Sequence, residues 1–114
     1  MSFENLVFVG FNSRVLALDR DTGDIVWSWQ APKPKSGGYV TLLLDGDRLI
    51  VSVNGYMYCL EPETGDLFWN NDTKGCGTGV TSIVSVRGQS SHDVLAGAAS
   101  NEAQRQAAAA AATT

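Results

Sequence analysis

The residues of this sequence that are best suited to chemistry are two groups of three carboxylates. The groups are Asp19, Asp21 and Asp24, and Glu61, Glu63 and Asp66. Closely spaced carboxylates can bind calcium, but an EF-hand loop also needs a third spaced ligand and a distal glutamate, and neither group has them. Short acidic side chains can instead accept hydrogen bonds from the backbone of a tight turn. We therefore predict that these carboxylates cap turns.

The other reactive residue types are few and scattered. Cys59 and Cys76 match neither a metal knuckle nor a redox C-x-x-C pair, so we expect two reduced thiols. His92 is the single histidine, with only Asp93 beside it, and is expected on the surface. Residues 74–79 are glycine-rich, but a strand-like run follows them where a phosphate-binding loop requires a helix. The sequence thus predicts no catalytic, cofactor-binding or metal-binding residue.

The overall composition is that of a small folded domain. The chain has 114 residues, 44% of them hydrophobic, and a net charge of −4. Its basic residues are dispersed, so we expect neither nucleic acid nor an anionic membrane as a partner. The sequence has no apolar run long enough for a membrane helix, and its N-terminal residues lack the basic and apolar regions of a signal peptide. These features predict a cytoplasmic protein.

An internal repeat organises most of the chain. Residues 5–30 align without a gap on residues 47–72, an offset of 42 residues. The identical pairs are Val9/Val51, Asn12/Asn54, Leu18/Leu60, Thr22/Thr64, Gly23/Gly65, Asp24/Asp66 and Trp27/Trp69. A repeat of about 40 residues made of short strands is typical of β-propeller blades, which stack on one another to bury their faces.

Short apolar runs bounded by turn-forming residues predict eight strands. Their predicted bounds are Leu6–Val9, Val15–Leu18, Ile25–Trp29, Val40–Leu44, Leu49–Val53, Met57–Leu60, Leu67–Trp69 and Val80–Val86. The Asn54-Gly55 pair predicts a tight hairpin, and Gly23 and Gly65 are expected to supply a positive φ in the turns that the carboxylates cap. Each repeat is therefore predicted to be an antiparallel meander.

The segment from Ala17 to Trp27 resembles the pyrroloquinoline-quinone-type propeller repeat, whose tryptophan-docking motif reads A-x-D-x-x-T-G-x-x-x-W. The segment from 59 to 69 is similar, but has Cys59 in place of Ala and Glu61 in place of Asp. The resemblance covers roughly residues 5–97. It implies an all-β fold of four-stranded antiparallel blades, in which each tryptophan docks on the adjoining blade and a Thr-Gly turn helps to receive it. The docking residues so implied are Ala17, Asp19, Thr22, Gly23, Trp27, Leu60, Thr64, Gly65 and Trp69.

The predicted strands amount to about two blades. With strands labelled A to D from the propeller centre outward, residues 5–30 supply B, C and D, residues 39–72 a complete blade, and residues 79–97 a further strand A with its extension. Propellers have roughly four to eight blades. Either copies of the chain form a closed ring, each adding its last strand to a neighbour's incomplete blade, or the chain is a fragment of a longer propeller. We expect a ring of three or four chains, with an interface at Val80, Ser82, Ile83, Val84 and Val86.

The domain boundary is placed after residue 97, since residues 98–114 form an Ala-rich tail that is predicted to be helical or disordered. Residues 93–97 could be a short strand or the start of that helix. The family that the sequence resembles also includes quinone-dependent dehydrogenases. These enzymes have an axial cofactor, a bound calcium, a catalytic Asp and often a disulfide of adjacent cysteines. This chain has no adjacent cysteines. We therefore predict a non-catalytic scaffold, with no cofactor and a possible protein or small-molecule ligand at loops 31–38 and 74–79. The alternatives are a quinone- or calcium-dependent oxidoreductase-like propeller, and a fragment of a larger propeller with no independent function.

Overall fold

The computed structural model describes residues 3–87 and shows an all-β chain there, with seven strands and no helix. The strands are β1 (Leu6–Phe11), β2 (Arg14–Asp19), β3 (Ile25–Gln30), β4 (Val40–Asp45), β5 (Arg48–Val53), β6 (Tyr56–Leu60) and β7 (Leu67–Asn71). Each of the first seven predicted strands lies within the corresponding observed one. The all-β prediction is confirmed.

The strands form two antiparallel meanders. The first sheet has the order β1-β2-β3, and the second has the order β4-β5-β6-β7. Asn54 and Gly55 join β5 to β6 and have φ values of 55° and 102°, as the predicted tight hairpin requires. Asn12 and Ser13 make the equivalent connection between β1 and β2, with φ values of 50° and 61°.

The wider turn of each repeat is capped by its first carboxylate. Oδ1 of Asp19 accepts hydrogen bonds from the backbone N–H groups of Asp21, at 2.8 Å, and Thr22, at 3.1 Å. Oε1 of Glu61 accepts one from the N–H of Glu63, at 2.7 Å. These bonds hold the two turns in the same shape, as the repeat in sequence predicts.

The core lies between the two sheets. Alternation along a strand places every second side chain on the same face, and the facing side chains of both sheets form one buried cluster. Its members are Val15, Ala17, Trp27, Ala31, Leu49, Val51, Val53, Tyr58 and Leu60. Each sheet thus uses one apolar face to pack on the other, as blades of a propeller do.

The chain divides into two units, Met1–Thr81 and Ser82–Thr114, and all seven strands belong to the first. The predicted eighth strand, Val80–Val86, is not observed, because residues 78–85 have no assigned secondary structure. Side-chain exposure nevertheless alternates there: Val80, Ser82, Val84 and Val86 are exposed, and Ile83 is half-buried. A period of two is that of an extended chain. A strand is defined by its hydrogen bonds to a neighbour, and the predicted neighbour belongs to another copy, so this strand stays a prediction.

Several predictions concern residues outside the described range. These are the extension to residue 97, the tail from 98 to 114 and the surface position of His92. Among residues 3–87, no helix is long and apolar enough to cross a membrane.

Candidate inter-blade docking site

Trp27 connects the first sheet to the second. It lies in β3 opposite Ala17 of β2, and its side chain is only 9% exposed. Its indole Nε1–H donates a hydrogen bond of 2.9 Å to the carbonyl oxygen of Pro62, in the turn between β6 and β7. A buried tryptophan combines a large apolar surface with one polar group that needs a partner. The Pro62 carbonyl supplies that partner, so one side chain both packs on and hydrogen-bonds to the neighbouring blade.

The turn that receives Trp27 requires a glycine. A Cβ atom at Gly65 would lie 2.6 Å from Cε3 and 2.7 Å from Cδ2 of the indole, and the φ of Gly65 is +82°. Any other residue would therefore be strained in its backbone and would overlap the ring. Oγ1 of Thr64 accepts a hydrogen bond of 3.2 Å from the N–H of Asp66 and closes the turn. Of the predicted docking residues, Ala17, Trp27 and Leu60 lie in one buried cluster, and Gly65 lies against the ring of Trp27.

The repeat equivalents of Trp27 and Gly65, which are Trp69 and Gly23, are not covered by the rest of the described chain. Trp69 lies in β7 opposite Cys59, as Trp27 lies opposite Ala17, but its side chain is 46% exposed. Gly23 has a φ of +80°, and, apart from Gly23 and its two neighbours in the chain, no atom of the described residues lies within 4 Å of the place that its Cβ would occupy. Within residues 3–87, the Trp69 side chain and the Gly23 turn are therefore both accessible.

The sheet faces show the same contrast. The face of the second sheet that receives Trp27 includes three β5 residues that are at most 1% exposed: Leu49, Val51 and Val53. Their repeat equivalents in β1 are Val7, Val9 and Phe11. Val7 is 44% and Phe11 51% exposed, and Val9 is half-buried. The equivalent face of the first sheet is thus apolar and packs on nothing comparable within the described residues.

The two cysteines are separate free thiols. Cys59 is fully buried and Cys76 is exposed. Burial raises the pKa of the Cys59 thiol above its ordinary value, an effect that the charge of Arg48 opposes and the charges of Asp47 and Asp45 reinforce. Cys59 is therefore a packing residue at the position where the motif has alanine.

The two predicted partner-binding loops meet at a cleft of about 440 Å³, whose lining includes Lys33, Tyr56, Asp72 and Lys74. Nζ of Lys33 lies 3.0 Å from Oδ2 of Asp72 and 5.7 Å from the centroid of the Tyr56 ring. The hydrogen bond to Asp72, together with its charge, raises the pKa of Lys33. Both charged side chains are about half exposed, so this ion pair is open to solvent.

Within residues 3–87, no three side chains of the His, Cys, Asp and Glu types are grouped so that they could hold a metal ion. The carboxylates of Asp19 and Glu61 accept bonds from the backbone of their own turns. The contacts of this part of the chain hold the first sheet against the second.

This combination of meander sheets, Thr-Gly turns and a docked tryptophan defines a β-propeller repeat protein. A family model described as outer membrane protein assembly factor BamB matches residues 12–109, and the chain belongs to this family of PQQ-like repeat proteins. The chain is also similar to the quinoprotein alcohol dehydrogenase PedH of Pseudomonas putida, with 32% identity over 82 residues. That match covers 62% of this chain and 14% of the length of the dehydrogenase. The resemblance that the two motif copies indicate is confirmed.

Proposed function

We propose that this chain is a non-catalytic β-propeller module that assembles with copies of itself into a closed ring and acts as a binding scaffold. The observation that carries the proposal is the head-to-tail stacking of the two sheets. The Trp27 side of the first sheet packs on the β5 face of the second, while the Trp69 side chain and the β1 face are exposed.

A contact between two different faces of the same unit can repeat without limit unless it closes into a ring. Each repeat here offers one face that donates a tryptophan and one that receives it. Three chains with about two blades each would give six blades and four chains eight, which lies within the usual range for propellers.

The polar residues support a binding role. The carboxylates of Asp19 and Glu61 cap their own turns, and loops 31–38 and 74–79 meet at the cleft of Lys33 and Lys74. Loops at the rim of a rigid scaffold are common sites for partner contacts. The alcohol dehydrogenase activity named for the relative belongs to a protein about seven times longer than the matched segment.

The molar mass of the purified chain in solution tests the assembly. Light scattering should give three or four times the chain mass of 12.1 kDa, independent of loading concentration over a wide range. A monodisperse monomer at every concentration would contradict the proposal. In a second measurement, protein incubated with calcium and pyrroloquinoline quinone should reduce no dye with alcohols as substrates. Turnover above that of free quinone would favour the oxidoreductase alternative.

A further inference from the structure

We infer that Trp69 of one copy docks on the turn from Arg20 to Gly23 of a second copy and donates its indole N–H to the Arg20 carbonyl oxygen. The inference rests on the ring proposed above and names the contact that holds it together. The docking site is incomplete in either copy alone, because the tryptophan and the receiving turn come from different chains.

The template for this contact lies inside the chain. Trp27 donates its N–H to Pro62 and covers Gly65. In the alignment of the two repeats, which are offset by 42 residues, Trp69 is the equivalent of Trp27. Arg20 is the equivalent of Pro62, and Gly23 is the equivalent of Gly65. The acceptor is a backbone carbonyl, so the change from proline to arginine retains it.

The two turns have the same backbone geometry. The N–H of Gly23 donates to the carbonyl of Asp19 at 2.8 Å, and the N–H of Gly65 donates to the carbonyl of Glu61 at 2.7 Å. The N–H of Asp24 donates to Thr22 Oγ1 and the N–H of Asp66 donates to Thr64 Oγ1, each at 3.2 Å. The φ values of the two glycines differ by only 2°, at +80° and +82°. The Gly23 turn is therefore already in the conformation that receives an indole.

The backbone around Trp69, which would donate the hydrogen bond, also matches that around Trp27. The register of β6 with β7 shifts between Cys59 and Leu60, and that of β2 with β3 shifts between Ala17 and Leu18, the equivalent step of the repeat. Trp69 consequently leaves its strand at the same position as Trp27, yet it is 46% exposed instead of 9%. A second copy is the occupant that continues the existing inter-blade interface, since it carries the matching turn and the apolar β1 face beside it.

Two single substitutions separate the two sides of the contact. Trp69→Ala removes the donor and leaves the receiver intact. Gly23→Ala places a methyl group where the incoming ring would lie, whereas within the chain that space is open. Because a central tryptophan is worth a large share of an interface, each variant should weaken assembly by at least about 30-fold. Gly75→Ala is the matched control, because Gly75 has a φ of +82° and equally open surroundings but lies outside the docking motif.

Mixing the two defective variants tests the head-to-tail arrangement. Trp69→Ala chains keep the receiving turn, and Gly23→Ala chains keep the tryptophan, so an equimolar mixture should form one intact joint per pair. Native mass spectrometry with one variant isotopically labelled should show a dimer that contains one chain of each. Circular dichroism of each variant at dilution verifies that the strands are retained.

The outcomes distinguish this inference from the ring itself. Loss of assembly in Trp69→Ala and Gly23→Ala but not in Gly75→Ala, with mixed dimers on combination, supports the contact. An assembled wild type whose variants all remain assembled would overturn the contact and leave the ring standing. A wild type that is monomeric at every concentration would overturn both. Association of the chain only with a different protein that displays a Thr-Gly turn would also contradict a second copy as the occupant.

Discussion

The two tryptophans of the repeat occupy equivalent positions in sequence and in their sheets, but differ in what covers them. Trp27 is buried against the second sheet and hydrogen-bonded to Pro62, while Trp69 is half exposed. The strand pairing, the bulge and the turn that precede each tryptophan are the same. The difference therefore comes from the neighbour and not from the repeat itself. A blade of this kind is a unit whose stability depends on what stacks on it.

Removal of each tryptophan side chain should give the largest contrast between the two halves. Trp27→Ala empties a buried site and leaves the Pro62 carbonyl without its donor, which should lower the free energy of unfolding by about 3–5 kcal/mol. Trp69→Ala removes a half-exposed ring and should cost well under half as much in the isolated chain. Urea denaturation followed by circular dichroism, at dilutions where assembly contributes nothing, measures both values. Equal losses of unfolding free energy would contradict the view that Trp27 is docked within the chain and Trp69 is not.

Alanine at each of the two motif glycines should give the next largest contrast. Both positions carry the cost of a positive φ, about 1–2 kcal/mol for a residue with a Cβ. Gly65→Ala must also displace the ring of Trp27, since the new Cβ would lie 2.6 Å from Cε3, and overpacking adds about 1–3 kcal/mol. Gly23→Ala meets open space.

The measurement is the difference in unfolding free energy between the two variants, again at dilution. Gly65→Ala should be the less stable by the overpacking cost. A Gly23→Ala variant that is as unstable as Gly65→Ala in the monomer would mean that the Gly23 turn is already covered within one chain.

The strands and the docking motif could be predicted from the sequence because their causes are local. Apolar runs of five or six residues end at turn residues whose backbone preferences are strong, such as Asn54-Gly55. The repeat then indicates which tryptophan and which turn belong together. The acceptor at Pro62 was not predicted, although its fixed position in the motif, one residue after the capping Glu61, could have marked it.

The features that could not be predicted depend on distant or external partners. Lys33 lies before the first strand of the second sheet and Asp72 lies after its last strand. Their ion pair therefore joins two loops that are far apart in sequence, and no local pattern indicates it. The strand predicted at Val80–Val86 needs hydrogen bonds from another strand, so its sequence pattern alone does not make it one.

The reactivity of the two thiols tests how far the exposed surface around Trp69 extends over the second sheet. Cys59 lies opposite the half-exposed Trp69 but is fully buried, and burial raises its pKa. Cys76 is exposed. Under native conditions at pH 8, a thiol reagent should modify Cys76 rapidly and Cys59 at least about 100-fold more slowly, because the thiolate is the reacting form.

The pH dependence of stability provides a second readout for Cys59. A raised pKa means that the folded state holds the proton more tightly than the unfolded state. The associated stability is present below the ordinary thiol pKa of 9.0 and is lost as the pH rises through the higher value of the folded state. Cys59→Ala, which restores the alanine of the motif, should remove that part of the alkaline loss, while Cys76→Ala should leave it unchanged. Rapid native labelling of Cys59 would show that the face around Trp69 is open more widely.

The ion pair in the rim cleft should give the smallest effect, which separates rim contacts from docking contacts. Asp72→Asn removes the partner of Lys33, but both side chains are about half exposed, and solvated pairs contribute little. The melting temperature should change by no more than about 3 °C in low salt, and by less in 1 M salt, where charges are screened. Because Asp72 raises the pKa of Lys33, the contribution is present below pH 10.5 and is lost only as the pH rises through that raised value. A loss comparable to that of Trp27→Ala would mean that the loops hold the blades together as strongly as the docked indole, and the contrast between the two tryptophans would no longer explain how the sheets are joined.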